Sequence, residues 1–275
     1  MHRVTEQVYA EDHYLVATVG FLVTREGVVL MDTPMLPSDA AEWRSRAEAH
    51  GGIRYIINTE HHRDHIIGNA FFPGTVVAQA GTAERFMRSI VSPAAVRGFL
   101  EKLDPKGSDR LASYVPRPPS IVFDSHLVLH LGDHTLDLRH APGHVPNGTW
   151  VYVPQERTVF TGDNIINGAP PFFHSAVPSG WLETLDALAR LDVEHIIPGH
   201  GAPGGPDAIG RVKAAVTGVI DEVRRGWEAG WSREESQDRI RYIDRFAYPA
   251  AMRDRYYHLE RLGVGRIYDW LAGHI

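Results

Sequence analysis

Short apolar runs bounded by Gly, Pro and Asp recur between residues 14 and 198, a pattern typical of β-strands. The first two runs flank Arg25-Glu26-Gly27, a turn that indicates a hairpin. We predict strands over 14–23, 28–31, 53–59, 76–78, 121–138 with a turn at Gly132-Asp133, 150–153, 158–160 and 195–198.

Apolar residues at helical spacing predict the elements between these strands. The predicted helices cover 38–50, with Ser38 as the N-cap, and 83–90, 93–103 and 181–191. Residues 104–120 are rich in Gly, Pro and Ser, and we expect an irregular loop there. Strands followed by a helix occur twice, which predicts an α+β fold with two sheets packed face to face and helices outside.

The pattern changes at Pro206, after which apolar residues recur at helical spacing and predict three helices. Ser232 and Glu235 form a capping box at the start of the second helix. The third helix, over 249–271, is expected to be interrupted near Gly263-Val264-Gly265.

The chain has 275 residues, of which 43% are hydrophobic, and this is enough for one large domain with an appendage. We predict a main domain over 1–205 and a C-terminal helical extension over 206–275 packed on it. The absence of cysteine excludes disulfides, thiolate metal ligands and cysteine nucleophiles.

Charge and hydropathy limit the partners. The net charge is -6 and no dense Lys/Arg cluster occurs, so we expect no nucleic-acid partner. No apolar stretch is long enough to span a bilayer, and we expect no membrane partner. The N-terminus lacks the apolar segment of a signal peptide, which favours a cytoplasmic location unless a leader has been removed. A small-molecule substrate is the partner expected.

Histidine carries the chemistry, with sixteen in the chain and a cluster in the segment 60–65, Glu-His-His-Arg-Asp-His. If this segment continues the preceding strand, Glu60, His62 and Asp64 share one face. The opposite register places a guanidinium between two metal ligands and is electrostatically unfavourable. Three further polar residues, each in a Gly-containing loop after a predicted strand, fit the same centre: His144, Asp163 and His200.

In this order, the four motifs resemble those of the metallo-β-lactamase superfamily. Its signature is His-x-His-x-Asp-His, then a Pro-Gly-His loop, an Asp after Thr-Gly, and a Gly-His segment. The resemblance covers about residues 10–205 and departs only at Glu60, where the family has histidine. It implies a four-layer αβ/βα sandwich with two divalent metal ions at one edge. One ion would be held by Glu60, His62 and His144, the other by Asp64, His65 and His200, with Asp163 bridging them.

The resemblance also implies a metal-dependent hydrolase in which a metal-bridging hydroxide attacks a small ester, lactone, thioester or amide. Asp64 is expected to steer the water proton or to protonate the leaving group. His174 is a second catalytic candidate, through substrate contact or acid chemistry, with a packed loop histidine as the alternative. Zinc is the expected metal, and Glu60 adds an oxygen ligand that suits Mn or Fe.

Other hypotheses stay open at this point. The chain could be a β-lactamase-type antibiotic hydrolase, a di-iron oxidoreductase or a binding protein with a degenerate site. Glu60 could instead form a salt bridge or cap a loop, and Asp32 is expected to orient a ligand. Two apolar sets either pack on the body or form a wall over the site, and the second could be a homodimer surface: Phe86, Met87, Ile90, Phe99 and Leu100, and Tyr242, Phe246, Tyr248, Tyr256 and Tyr257.

Overall fold

The computed structural model describes residues 1–15, 17–89, 92–246, 248 and 250–275, and in this part the chain forms two β-sheets. The strands of the first sheet are β1 His2–Arg3, β2 Val8–Glu11, β3 Val19–Thr24, β4 Gly27–Met31, β5 Ile53–Asn58, β6 Thr75–Gln79 and β7 Ile121–Phe123. Those of the second are β8 His126–Leu131, β9 His134–His140, β10 Thr149–Val153, β11 Thr158–Phe160 and β12 His195–Ile197.

Helices connect and cover the strands. They are α1 Pro37–Glu48, α2 Arg63–Ile66, α3 Ala80–Ser89, α4 Pro93–Leu103, α5 Pro178–Leu188, α6 Asp207–Glu228, α7 Arg233–Arg239 and α8 Arg253–Leu271. None of these described helices combines the length and the apolar character that crossing a bilayer requires.

Both sheets are mixed. In the first, neighbours follow chain order from β1 to β7, antiparallel as far as β4 and parallel from β4 to β7. The second runs in the order β12-β11-β10-β9-β8, and only β11 and β12 are parallel. Because the carboxyl ends of parallel strands meet at one edge, the loops after β4, β5, β11 and β12 can converge there.

Three apolar layers separate the four layers of secondary structure. Between the sheets, inward residues such as Leu22, Val29 and Val151 form one core. The outer face of the first sheet packs on α1 through Trp43, which is fully buried. The outer face of the second sheet packs on α5, α6 and α8 in one further core. The predicted α+β class and αβ/βα sandwich are therefore confirmed, and the C-terminal helices are present.

Several predicted boundaries shift for physical reasons. The structure adds β1 and β2, and β3 begins only at Val19, so the described residues 14, 15, 17 and 18 are not strand. Leu36, not Ser38, is the N-cap of α1, because Pro37 occupies the first turn. The predicted irregular loop contains a short 3₁₀ helix, Pro105–Leu111, capped by the Asp104 side chain. Val16, Ile90 and Pro249, which belong to predicted elements, lie outside the described residues.

The C-terminal helices differ from prediction at one place. The capping box of Ser232 and Glu235 is confirmed. The expected interruption of the last helix is wrong, because α8 runs continuously. Its glycines permit close packing instead: a Cβ at Gly263 would lie 3.1 Å from Phe173 Cβ, and one at Gly265 would lie 2.5 Å from an Arg233 nitrogen. The division into domain and extension at residue 205 stays a prediction.

Substituting alanine for two helical glycines tests this explanation. Gly218 of α6 has open space around it, so Gly218→Ala should stabilise the protein by about 0.5–1 kcal/mol through helix propensity. Gly263→Ala should lower stability, because Phe173 is fully buried and cannot move aside. Chemical denaturation of the two variants and the parent measures both effects, and an equal gain at both positions would contradict the packing argument.

Candidate metal centre

The candidate metal centre lies at one edge of the sandwich, where loops from both sheets converge. Glu60 and His62 follow β5, and His144 lies between β9 and β10. Asp163 follows β11, and His200 follows β12. The strands pack in the apolar cores, and polar side chains from the loops of both sheets therefore meet at the ends of these strands.

The segment after β5 is not the extended chain that the sequence predicted. β5 ends at Asn58, and Asp64 and His65 lie in the single turn α2. A backbone hydrogen bond of 3.1 Å from His65 N to His62 O closes this turn. The prediction that Glu60, His62 and Asp64 share a strand face is therefore wrong, because turn geometry and not strand alternation brings these side chains together.

The seven predicted ligands form two groups. Within each, the potential ligand atoms lie within 4.8 Å of one another. The first group contains Glu60, His62, His144 and Asp163, and the second contains Asp64, His65 and His200. Four of these side chains are buried, namely Glu60, His65, His144 and Asp163, and the other three are partly buried, so these polar atoms are costly without partners.

The distances between donor atoms fit metal coordination. Two atoms bound to one tetrahedral ion at about 2.0–2.1 Å lie about 3.3 Å from each other. Glu60 Oε2 lies 3.0 Å from His62 Nδ1, and His200 Nε2 lies 3.4 Å from Asp64 Oδ2. His65 Nε2 lies 3.8 Å from Asp64 Oδ2. The side chains present therefore fit a divalent ion in each group.

Asp163 lies between the two groups. Its Oδ2 is 3.6 Å from His144 Nε2 in the first group and 3.2 Å from His200 Nε2. Its Oδ1 lies 3.4 Å from His65 Nε2. One carboxylate oxygen thus faces nitrogen donors of both groups, which is the position a bridging ligand requires.

Buried atoms without hydrogen-bond partners mark the same place. Among the described residues, both carboxylate oxygens of Glu60, Nε2 of His65 and Oδ1 of Asp163 have none. Glu60 is 1% exposed, so its charge is almost completely removed from water. Unpaired buried acceptors are costly, and bound cations would satisfy these.

Asp32 orients His65 of the second group through the ring nitrogen that faces away from the cluster. Its carboxylate accepts hydrogen bonds from the backbone N and the hydroxyl of Thr59, at 2.8 and 2.5 Å. Its Oδ2 also lies 2.8 Å from His65 Nδ1, which leaves His65 Nε2 directed at the cluster. Asp32 has a left-handed backbone with φ of 55°, a conformation that costs energy for a residue other than glycine.

His144 is oriented by backbone and amide groups. Its Nδ1 lies 2.8 Å from the carbonyl oxygen of Phe172, and its backbone N donates to Asn164 Oδ1 at 3.0 Å. The Asn164 amide in turn donates to Ala141 O at 2.8 Å. Nε2 of His144 is therefore the nitrogen that faces Asp163.

The electrostatics of the cluster are those of crowded acids and imidazoles. Burial raises the pKa of Glu60, although His62 opposes this rise. Burial lowers the pKa of His144 to about 3. Burial disfavours protonation of His200 as well, but Asp163 and Asp64 outweigh it and raise the pKa of His200 to about 10. The raised pKa of His200 therefore favours a protonated imidazole, which partly balances the neighbouring carboxylates.

His174 forms a third set with His62 and His144, and the potential ligand atoms of these three residues also lie within 4.8 Å of one another. His174 lies beside the first group, with its ring centroid 5.3 Å from that of His62 and 5.5 Å from that of His144. Burial lowers the pKa of His174 to about 4. His61 is buried next to His62 but belongs to neither group. Five further histidines also lie outside both groups: His126, His130, His134, His140 and His195.

Sequence reasoning missed two features that support the site. The Phe172 carbonyl oxygen is a main-chain acceptor that orients His144, and the type of residue at position 172 does not indicate this role. Asn58 and Asn69 exchange side-chain hydrogen bonds, and the Asn58 amide donates to His65 O at 3.2 Å. A buried polar residue at the end of the apolar run 53–57 was a visible indication of such a role.

The first apolar set, which was expected either to pack on the body or to form a wall over the site, contains both buried and exposed residues. Phe86 and Leu100 are buried in a cluster with Val96, whereas Met87 and Phe99 are 58% and 40% exposed. In the C-terminal set, Tyr256 packs against Phe172 at 5.0 Å between ring centroids, next to the loop that carries His174. These contacts place part of the aromatic set beside the candidate site.

Solved structures of similar shape support the fold. A stereoselective inverting sec-alkylsulfatase from Pseudomonas sp. superposes with a TM-score of 0.71 at 16% identity, covering 99% of this chain and 50% of that chain. A metallo-beta-lactamase family protein from Thermus thermophilus gives a TM-score of 0.66 at 18% identity, covering 98% of this chain and 95% of that one. At these identities the likeness shows the fold alone.

Sequence comparison adds a family. The chain is 27% identical over 136 residues to a hydroxyacylglutathione hydrolase from Mesorhizobium japonicum, a match that covers 50% of this chain and 43% of that protein. This match therefore spans less than half of the relative's length. The family model of the metallo-beta-lactamase superfamily matches residues 14–200, the region that contains both ligand groups. The chain belongs to the metallo-β-lactamase superfamily.

Proposed function

We propose that the protein is a binuclear metal-dependent hydrolase of a small ester, lactone, thioester or amide. The observation that carries this proposal is the spacing of the donor atoms in two adjoining groups, which matches two coordination sites that share Asp163. Glu60, His62 and His144 would hold one ion, and Asp64, His65 and His200 the other. When bound, two divalent ions supply a water acidic enough to attack near neutral pH and polarise the scissile carbonyl.

Zinc is the metal proposed first, because four of the seven proposed ligands are imidazoles, which suit zinc. Glu60 makes the site richer in oxygen than a site with histidine at this position, and this favours Mn or Fe as alternatives. Asp32 serves both metals indirectly, since it fixes the orientation of His65 and the end of β5.

Asp64 and His174 are the proposed catalytic side chains. Burial opposes ionisation of Asp64, but His65 and His200 outweigh it and hold the pKa of Asp64 far below its usual range. The Asp64 side chain is 19% exposed, so the ionised carboxylate would remain accessible to water. The neutral imidazole of His174 adjoins the first group and is placed to contact substrate or to pass a proton.

We propose thioesters first among the substrates, and the similarity to a hydroxyacylglutathione hydrolase supports this order. A β-lactamase-type activity is the second candidate, and a di-iron oxidoreductase is third. The oxidoreductase is disfavoured because His62 stands at a position where di-iron relatives are expected to have glutamate. The substrate is proposed to be a small molecule, and a homodimer through the C-terminal aromatic residues and a cytoplasmic location remain predictions.

A hydrolysis panel tests the substrate class. The zinc-loaded and manganese-loaded protein should hydrolyse thioesters, lactones or aryl esters with a higher kcat/KM than cephalosporins, because the bridging Asp163 differs from a site specialised for antibiotics. Secondary alkyl sulfates form a further arm. Activity should disappear after chelation and return on adding metal. Strong turnover of cephalosporins alone would reverse the order of the two hydrolase candidates.

Elemental analysis tests the two groups. The parent chain should retain about two divalent ions after dialysis, one for each group. Glu60→Ala should retain fewer, since a direct oxygen donor of the first group is removed. Circular dichroism of the variant controls for folding. Two ions per chain in a folded Glu60→Ala variant would show that Glu60 serves as a loop or ion-pair residue instead.

His174 is tested by separating chemistry from metal binding. His174→Gln should lower kcat by about 10²–10⁴-fold while leaving the number of bound ions unchanged, because proton transfer is lost and the ligands are not. The matched control is His61→Gln, a buried histidine that belongs to neither ligand group. Unchanged kcat would assign His174 to packing, and loss of an ion would assign it to the first metal group.

A further inference from the structure

We infer that Glu60 bridges the two metal groups, so that two carboxylates, Glu60 and Asp163, join the ions. This inference rests on the proposed binuclear site and changes its connectivity. In the assignment by family resemblance, residue 60 is a terminal ligand of the first ion only.

The two oxygens of Glu60 face different groups. Oε2 lies 3.0 Å from Nδ1 of His62, in the first group. Oε1 lies 3.2 Å from Nε2 of His65, in the second. Both distances are close to the separation of about 3.3 Å expected for two donors on one ion. The Nε2 atom of His65 is the nitrogen left for metal binding, since its Nδ1 is held by Asp32.

Burial makes a terminal role costly. Glu60 is 1% exposed, and apart from the ion-pair contacts with His62 and His65 neither of its oxygens has a partner in hydrogen-bond geometry among the described residues. A carboxylate bound through one oxygen would leave the other buried and unpaired, which is unfavourable for a charged acceptor. Coordination of one ion by each oxygen satisfies both.

Histidine at this position could not do the same. An imidazole offers one nitrogen lone pair to a metal when its other ring nitrogen carries a proton. Replacing histidine by glutamate therefore changes more than the charge of the first site, because it adds a donor to the second. Binding of the two ions becomes linked through one side chain, and the oxygen-rich bridge favours hard divalent ions over soft ones.

The experiment measures the second group alone. In a His144→Ala background, which weakens the first group, the affinity of the remaining site for Zn²⁺ and Mn²⁺ is measured by chelator competition. Glu60→Asp, which keeps the charge but shortens the side chain, and Glu60→Gln are then added. If Glu60 is a ligand of the second ion, both should weaken binding by at least about tenfold, since loss of even an indirect partner costs 10–100-fold.

The reciprocal background is the matched control. In His200→Ala, which weakens the second group, the same Glu60 changes should weaken the first ion under either connectivity. If neither Glu60 change alters the affinity of the second group, Glu60 does not act on the second ion and bridging is overturned. If only Glu60→Gln weakens that affinity, the effect is one of charge alone, and bridging is overturned as well.

A spectroscopic measurement tests the bridge in a chain that keeps all other ligands, so it does not depend on whether the double variants fold. In the otherwise unchanged chain loaded with Mn²⁺, the electron paramagnetic resonance spectrum should show exchange-coupled ions, and the coupling should change in Glu60→Asp. An unchanged coupled spectrum overturns the bridge while leaving the binuclear site intact. A parent chain that binds fewer than two ions instead overturns the proposed function itself.

Discussion

Asp32 joins the end of β4, the end of β5 and the turn α2 through one buried carboxylate. It bonds Thr59 twice and holds His65 by Nδ1, so the chain leaves β5 in a fixed direction and one ring nitrogen faces the cluster. The backbone of Asp32 adopts the left-handed conformation, which is unfavourable for this residue, and the surrounding sheet keeps it there. The positions of Glu60, His62 and Asp64 all follow from this exit geometry.

Charge is the second constraint on the site. Glu60, Asp64 and Asp163 are crowded into a volume with little water, and like charges at this range destabilise one another. The raised pKa values of His65, within α2, and of His200, after β12, favour protonated imidazoles that offset these carboxylates. Divalent cations bound by the proposed ligands would take the place of those protons, because imidazole must be deprotonated at the nitrogen that binds a metal.

The sequence predicted the sandwich more successfully than the local backbone, and the seven residues that it singled out as ligands do lie close together. His144, Asp163 and His200 could be found because each follows an apolar strand and lies beside glycine. The segment 60–65 was wrongly extended as strand, because a single helical turn has too few residues to show helical periodicity. The Phe172 carbonyl and the pairing of Asn58 with Asn69 depend on tertiary contacts, which local sequence patterns do not contain.

Residues of the C-terminal segment hold the loop beside the site by hydrogen bonds. Tyr242 donates its hydroxyl to Pro171 O at 3.1 Å, and Arg266 Nε donates to Ala176 O at 2.9 Å. These bonds hold both ends of the loop whose carbonyl at Phe172 orients His144 and whose side chain at His174 lines the site. Since Gly263 allows α8 to approach Phe173 closely, the fit of α8 sets how rigidly this loop is held. The first metal group therefore depends on residues beyond the region that the family model matches.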